Sequence, residues 1–389
     1  MIFMNRYSFF LGIGLMFFLM SCNSNSTGSE VSDFDKLYVA LQGTDKVAIL
    51  NASTLELIEE VDVSSMEGMS MGTTPHYIAL DEVNGYWFVS EIMANTIAMY
   101  SMDTNELIDI ISVDEDPAIL DIDITSKKLY SSRMMIMNMG GMQMGSETNL
   151  VDEILYSSDG MTLINSYDSG SPTPHALSLS DDGSIILTAS NTADFLSKID
   201  IASGDVLSVP LDPGVNDIPN LEVNRLKPLE ITQGNGYAFI SCTAGEWQNI
   251  NTGEYEDVNG QVQVWDIATL EKIDTYEFNV TSQPWHIDHH PYENKVYVAL
   301  SGTSSAENSA GIACLSFSDN SLSLEWITYD VQFNGLHGIT ISSDGQFVYA
   351  SGRGDGNVYK LDAISGSLLK TTNLISSGMT RTGGIAITQ

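Results

Sequence analysis

From Asp35 to its C-terminus the chain is a succession of short apolar runs broken by polar turns. Runs such as "KLYVAL" from Lys36, "IILTAS" from Ile185 and "KVYVAL" from Lys295 are rich in β-branched and aromatic residues. Gly, Asp, Asn and Ser cluster between them. That is the punctuation of strands and tight turns, and no stretch here carries apolar residues at helical spacing for a useful length. The pattern also repeats. It reads "TPHYIALDEVNGYWFVSE" from Thr74, "TPHALSLSDDGSIILTAS" from Thr173, "QPWHIDHHPYENKVYVALSG" from Gln283 and "GLHGITISSDGQFVYASG" from Gly335. Each copy offers a His, an apolar strand, a polar turn and a second apolar strand. Short-strand units recurring at about 50 residues predict a β-propeller with one four-stranded blade per unit.

Complete units begin near Thr74, Asp116, Thr173, Leu226, Gln283 and Gly335. Two fragments remain. The N-terminal "KLYVALQG", "KVAILNA" and "LELIEEVDV" lack an inner strand, and the C-terminal "GGIAIT" from Gly383 is an inner strand without the rest. Pairing the chain ends makes a seventh blade and removes the open sheet edges that invite aggregation. The expected fold class is therefore all-β, a seven-bladed β-propeller closed by its N- and C-terminal strands.

The start of the chain reads as an address. Residues 1–21 carry Arg6 and then an apolar stretch from Phe9 to Met20, too short for a comfortable transmembrane span. They end in Leu19-Met20-Ser21-Cys22, which resembles a bacterial lipobox. The resemblance implies cleavage before Cys22 and a lipid on that residue, so that the membrane is a partner through the N-terminal lipid. Residues 22–34 are Ser/Asn/Gly-rich and read as a flexible tether, and 35–389 as the propeller. Asn23 follows the lipid Cys rather than Asp, which by analogy with enterobacterial sorting favours the outer membrane of the cell envelope.

The net charge is −36. That disfavours nucleic acid and anionic surfaces and suits a monomeric extracytoplasmic body that draws cations. Cys242 and Cys314 lie inside strand-like runs of different repeats and read as buried thiols. There is no Cys-x-x-Cys-His for covalent haem, no Gly-x-Ser-x-Gly elbow and no His-Glu-x-x-His.

Registering the blades by their second strands puts His76, His175, His286 and His337 at one equivalent position, the start of the innermost strand. Ala118, Lys227 and Gly383 take that position in the other blades. Two loops on the same face are full of methionine. "SSMEGMSMGTTPH" holds Met66, Met69 and Met71; "RMMIMNMGGMQMG" holds Met134, Met135, Met137, Met139, Met142 and Met144. Thioether suits Cu(I) and imidazole suits both copper oxidation states, so copper is the cofactor that joins the two features. The plainer readings stay beside it: hydrogen-bonding histidines at a channel rim, and a Met-rich flap or adaptable partner surface. His289 and His290 are candidate additions to the site, and Asp288, by its parity with His286, is a candidate to orient a ligand from behind. Arg133, Arg353 and Arg381 also fall in rim-side loops, where an anion could sit.

The "PH" starts at Pro75-His76 and Pro174-His175, the turns ending at Gly183 and Gly345, and the "VYVALSG" and "VYASG" strands resemble the YVTN-type propeller repeats of bacterial surface and periplasmic proteins, those of the YncE kind included. The resemblance covers nearly all of the chain after Cys22. It implies the fold and leaves the function open, because propellers host many functions. In its hub histidines the chain is also loosely similar to the nitrous oxide reductase propeller, but it has too few in register and no cupredoxin domain. Three functions follow as expectations: a copper-binding lipoprotein for storage, delivery or sensing, served by a copper-donor or acceptor protein; a copper redox enzyme needing a separate electron partner; and a non-catalytic YVTN-type binding or scaffold module.

Overall fold

The computed structural model describes residues 35–389 except 65–71, 134–136, 140–141, 145–148, 250–251, 305, 308 and 375–380; for 137–139 and 142–144 it describes the backbone. Seven four-stranded antiparallel sheets make the ring. We number the blades in chain order. The inner strand of blade 1 is Thr382–Ile387, which pairs with Lys36–Leu41 and so closes the ring with the two ends of the chain. The inner strands of blades 2 to 7 are Pro75–Asp81, Pro117–Asp123, Pro174–Leu179, Pro228–Gly234, Pro284–His289 and Leu336–Ile341. Among the described residues the one helical element is a 3-10 turn at Ile92–Ala94, and no helix is long and apolar enough to cross a membrane.

The core is divided among the joints between blades. Each of seven apolar clusters draws its side chains from two adjacent sheets; Val262, Val264, Ile287 and Val298, for example, join blades 5 and 6. A second strand is therefore covered on both faces. Lys36–Leu41, Tyr86–Glu91, Ile185–Ser190 and Lys295–Leu300 are buried at every position after the first, which is why they read as continuous apolar runs rather than as the clean alternation of a half-exposed strand. The outermost strands, such as Leu57–Asp62, are mostly exposed. Cys242 and Cys314 are free and buried.

Two repeated devices set the start of most inner strands. First, before five of the seven the preceding residue is left-handed: φ is +57° at Thr74, +45° at Thr173, +53° at Lys227, +50° at Gln283 and +62° at Gly335. Only Gly335 adopts this without strain, and a β-branched Thr there is uncommon. Second, a buried serine of the second strand spans the joint. Ser90 Oγ donates to the Ala118 carbonyl (2.8 Å), Ser132 Oγ to His175 (2.6 Å), Ser351 Oγ to Gly383 (2.7 Å) and Ser241 Oγ to Trp285. Three of them also accept a backbone N–H from their own inner strand: Tyr77 to Ser90 (3.0 Å), Ile119 to Ser132 (2.9 Å) and Gly338 to Ser351 (3.0 Å). The serine thus satisfies groups that a register shift in the inner strand frees from the ladder.

Both devices correct one sequence alignment. Gln283 stands where Thr74 does, and the Trp285 carbonyl takes the bond that Ala118 and His175 take elsewhere. Trp285, not His286, is therefore the counterpart of His76; His286 lies one residue further in, level with Tyr77 and Glu230. Lys227 likewise occupies the left-handed position before the strand, and Leu229 is the true counterpart in blade 5.

Candidate metal centre

The four histidines nevertheless meet. His76, His286 and His337 are each 1 % exposed and His175 is 2 % exposed. Ring centroids are 4.5 Å apart for His286 and His337, 5.4 Å for His76 and His337, 6.3 Å for His76 and His286, and 6.0 Å for His76 and His175. One nitrogen from each of His76, His286 and His337 lies within 4.8 Å of the other two. A point central to a triangle of that edge is at most 4.8/√3, about 2.8 Å, from each nitrogen. Metal–imidazole bonds run at about 2.0–2.1 Å, so closing on an ion asks less than about 1 Å of each ring. His175 sits behind His76, at the edge of this trio.

The outer nitrogens are held as a ligating set requires. His286 Nδ1–H donates to Glu230 Oε2 (2.9 Å) and His175 Nδ1–H to the Leu229 carbonyl (2.8 Å). Each bond leaves Nε2 as the bare lone pair. The Gln42 amide nitrogen stands 2.9 Å from His76 Nδ1 and donates to it, which puts the His76 proton on Nε2; turning the nearly isosteric amide over would place its oxygen there and give His76 the same tautomer as the other two. Inward, His76 Nε2, His286 Nε2 and both nitrogens of His337 are buried with no hydrogen-bond partner. An unpaired buried polar group costs about 1–3 kcal/mol, and a shared ion would satisfy one nitrogen of each of the three rings.

Burial, and then the charges of neighbouring His and Arg353, hold His76 well below the ordinary imidazole range; burial, then His286, Arg353 and the other rings, do the same to His337. Burial also lowers His175, to about 4, against the opposing pull of its Leu229 bond. These rings stay neutral near pH 7, the form that binds metal. Tyr77 stacks on His286 at 6.0 Å and Trp285 leans on His337 at 5.5 Å, which fixes two of the rings.

The other candidates lie elsewhere. His289, His290 and Asp288 are carried to the far end of their strand. His290 Nδ1 accepts from the Tyr292 and Glu293 N–H groups and shapes a turn. Asp288 accepts from His289 N–H and, across the joint, from Ile341 N–H, so it orients no ligand. Asp288 and His289 line, with Tyr77, Asp121 and Glu230, a cavity of about 420 Å³ in the opposite half of the channel. Burial pushes Asp121 up to about 6 and Asp288 up to about 7 there. Arg133 is buried against Asp152 (2.6 Å) and serves the fold.

Met66, Met69, Met71, Met134 and Met135 fall outside the described residues, as does Cys22. Met137–Met139 and Met142–Met144 form a two-stranded ribbon with Met137 opposite Met144 and Met139 opposite Met142. It joins the second and third strands of blade 3, a connection on the face where the inner strands begin. Sequence reasoning missed Glu230 and Gln42. Glu230 had a signal, a lone carboxylate within the apolar "PLEIT" of an inner strand; Gln42 had none.

No protein-family model matches the chain, and no curated protein sequence does. Solved structures share its fold. A proposed 6-phosphogluconolactonase from Bacteroides fragilis superposes with a TM-score of 0.62 at 13% identity, covering 92% of this chain and 99% of its own. A protein from Lactobacillus plantarum gives 0.61 at 13%, covering 92% and 100%. Hydrazine synthase from Kuenenia stuttgartiensis gives 0.60 at 12%, covering 79% and 90%. At such identities the likeness shows the propeller and nothing of its chemistry.

Proposed function

We propose that this propeller binds a copper ion on His76, His286 and His337, with His175 in reserve beside them, as a storage, delivery or sensing protein of the bacterial envelope. The observation that carries this reading is the buried trio of imidazoles, each with a nitrogen within 4.8 Å of the other two and each keeping a nitrogen without a hydrogen-bond partner. Three neutral nitrogen ligands suit copper and zinc alike; the Met ribbon on the same face favours copper, since thioether is a poor ligand for zinc. Met66, Met69, Met71, Met134, Met135, Met137, Met139, Met142 and Met144 would capture Cu(I) and hand it to the rings. A copper-donor or acceptor protein would exchange the ion there.

The test is copper content by elemental analysis after anaerobic Cu(I) loading and desalting of the full chain in detergent. The parent retains about one tight copper per chain, the His76→Ala/His337→Ala variant loses it, and a variant lacking 134–144 loads more slowly or loses weaker ions. A parent that keeps no copper refutes the reading and leaves a non-catalytic YVTN-type binding module. The envelope address rests on the lipobox-like segment ending at Cys22. Cys22→Ser should move the protein from the detergent phase to the aqueous phase on temperature-induced phase separation, and an unchanged partition would refute the lipid anchor.

A further inference from the structure

Among the described residues little negative charge reaches the proposed centre: its ligands are rings, and the carboxylate that touches them is Glu230, behind His286. Beside the entry to the strand that carries His337 stands Arg353. Its backbone N–H donates to the Gly335 carbonyl (2.9 Å), and the next N–H, of Gly354, to Asn334 (2.9 Å), which fixes it against the segment that leads into His337. The guanidinium is partly buried. Among the described residues it donates no side-chain hydrogen bond and forms no ion pair, in a chain with 51 Asp and Glu against 15 Lys and Arg. The contrast with other arginines is direct: Arg133 holds Asp152, and Arg225 holds both Asp212 and Glu256. A second arginine, Arg381, stands exposed at the entry to the inner strand of blade 1, close enough that its charge, after burial, depresses Arg353.

A divalent ion on three neutral rings would bring two positive charges to a buried place already under the positive charge of Arg353, with, among the described residues, the Glu230 carboxylate to offset them. Uncompensated buried charge is costly. A tri-histidine ion also has coordination positions that protein does not fill. We infer that the metal takes a small monoanion from solution as its remaining ligand, one acceptor atom on the metal and another on the Arg353 guanidinium, with Arg381 drawing it to the mouth. The class of ligand is a compact anion with acceptors at both ends, such as a carboxylate or a pseudohalide. The planar fork of donors on Arg is made for that geometry, and a Lys is not its equivalent. This inference rests on the metal reading above.

The experiment is a titration of the copper(II)-loaded full chain with azide, read by the charge-transfer absorption of copper-bound azide. The parent should give a saturable band, Arg353→Gln should weaken azide by about tenfold or more with copper content unchanged, and Arg353→Lys should fall between. In a second measurement, azide should raise the melting temperature of the copper-loaded parent and leave the metal-free protein unmoved. Copper retained but no azide band, or equal azide affinity in parent and Arg353→Gln, overturns the inference and leaves the metal site standing. A parent that retains neither Cu(I) nor Cu(II) overturns the metal reading itself.

Discussion

Glu230 is the residue whose change best separates a metal-binding role for the rings from a packing role. Its carboxylate collects three hydrogen bonds: His286 Nδ1–H at 2.9 Å and Ile287 N–H at 2.7 Å on Oε2, and Tyr77 O–H at 2.9 Å on Oε1. Glu230→Gln keeps the shape. The amide oxygen can still accept from His286 and Ile287, and the amide nitrogen meets the Tyr77 oxygen, which can accept. The Tyr77 O–H then loses its acceptor, and with the lost charge assistance this costs about 1–3 kcal/mol of stability. Copper binding should fall as well. A carboxylate behind a ligand imidazole raises its basicity and fixes its tautomer, and removing such a partner costs about 10–100-fold in affinity, or about 1.4–2.7 kcal/mol. The assay is Cu(I) competition against a chromophoric chelator, run beside denaturant unfolding of the same preparations. The expected result is weakened copper with a cooperative, slightly destabilised fold. Copper affinity within about twofold of the parent, in a background where His286→Ala abolishes binding, would refute the argument that Glu230 tunes the centre.

Ser132→Ala removes a donor to the His175 carbonyl and an acceptor for Ile119 N–H; it should lower the unfolding free energy by about 1–3 kcal/mol without touching copper affinity, and a loss below about 0.5 kcal/mol would discount the serine bridges. Asp121→Asn tests the far cavity: burial raises this carboxyl from 3.8 to about 6, so its favourable contribution is complete below pH 3.8 and is lost as pH rises through 6. The variant should therefore lose less stability than the parent between pH 4 and pH 7.5 in denaturant midpoints, and identical slopes would refute the shift. Gly383→Ala should weaken copper while the protein still folds, because a Cβ there would lie 2.8 Å from the His76 carbonyl oxygen; overpacking of this kind costs about 1–3 kcal/mol, and unchanged copper affinity would show that the approach of blades 1 and 2 does not set the site.

The ring was legible because its signal is redundant. Six complete copies of one strand pattern, with part of a blade at each end of the chain, leave one closed arrangement, and the pairing of Lys36–Leu41 with Thr382–Ile387 is that arrangement. The identity of the histidines was legible for a similar reason, since four copies begin with one. Their level in the channel was not. "QPWHIDHH" can be aligned on its His or on its Pro, and only the left-handed Gln283 and the bond to the Trp285 carbonyl decide for the Pro. Parity then misled twice more. The register shift between Pro284 and Ile287 breaks the period of two, so counting along the strand from His286 did not say where Asp288 and His290 point. Gln42 and Arg353 come from connections between second and third strands, whose sequences carry no repeat to register them by.

The shift in blade 6 is also what makes a compact site out of a wide ring. Were all four histidines at one level, spaced by blades 2, 4, 6 and 7, their nitrogens would face one another across the channel. Instead His286 enters from the layer of Tyr77 and Glu230, which places it under His337 at 4.5 Å and gives it a carboxylate partner that no ring in the upper layer has. On the other side, glycines let three inner strands close up. A Cβ on Gly338 would lie 2.8 Å from the Gly383 carbonyl, and one on Gly384 would lie 2.9 Å from that of His76. Blades 7, 1 and 2 thus approach backbone to backbone, and His337 reaches within 5.4 Å of His76 although a whole blade separates them in the ring. The centre is a product of departures from the repeat, a slipped strand on one side and missing side chains on the other.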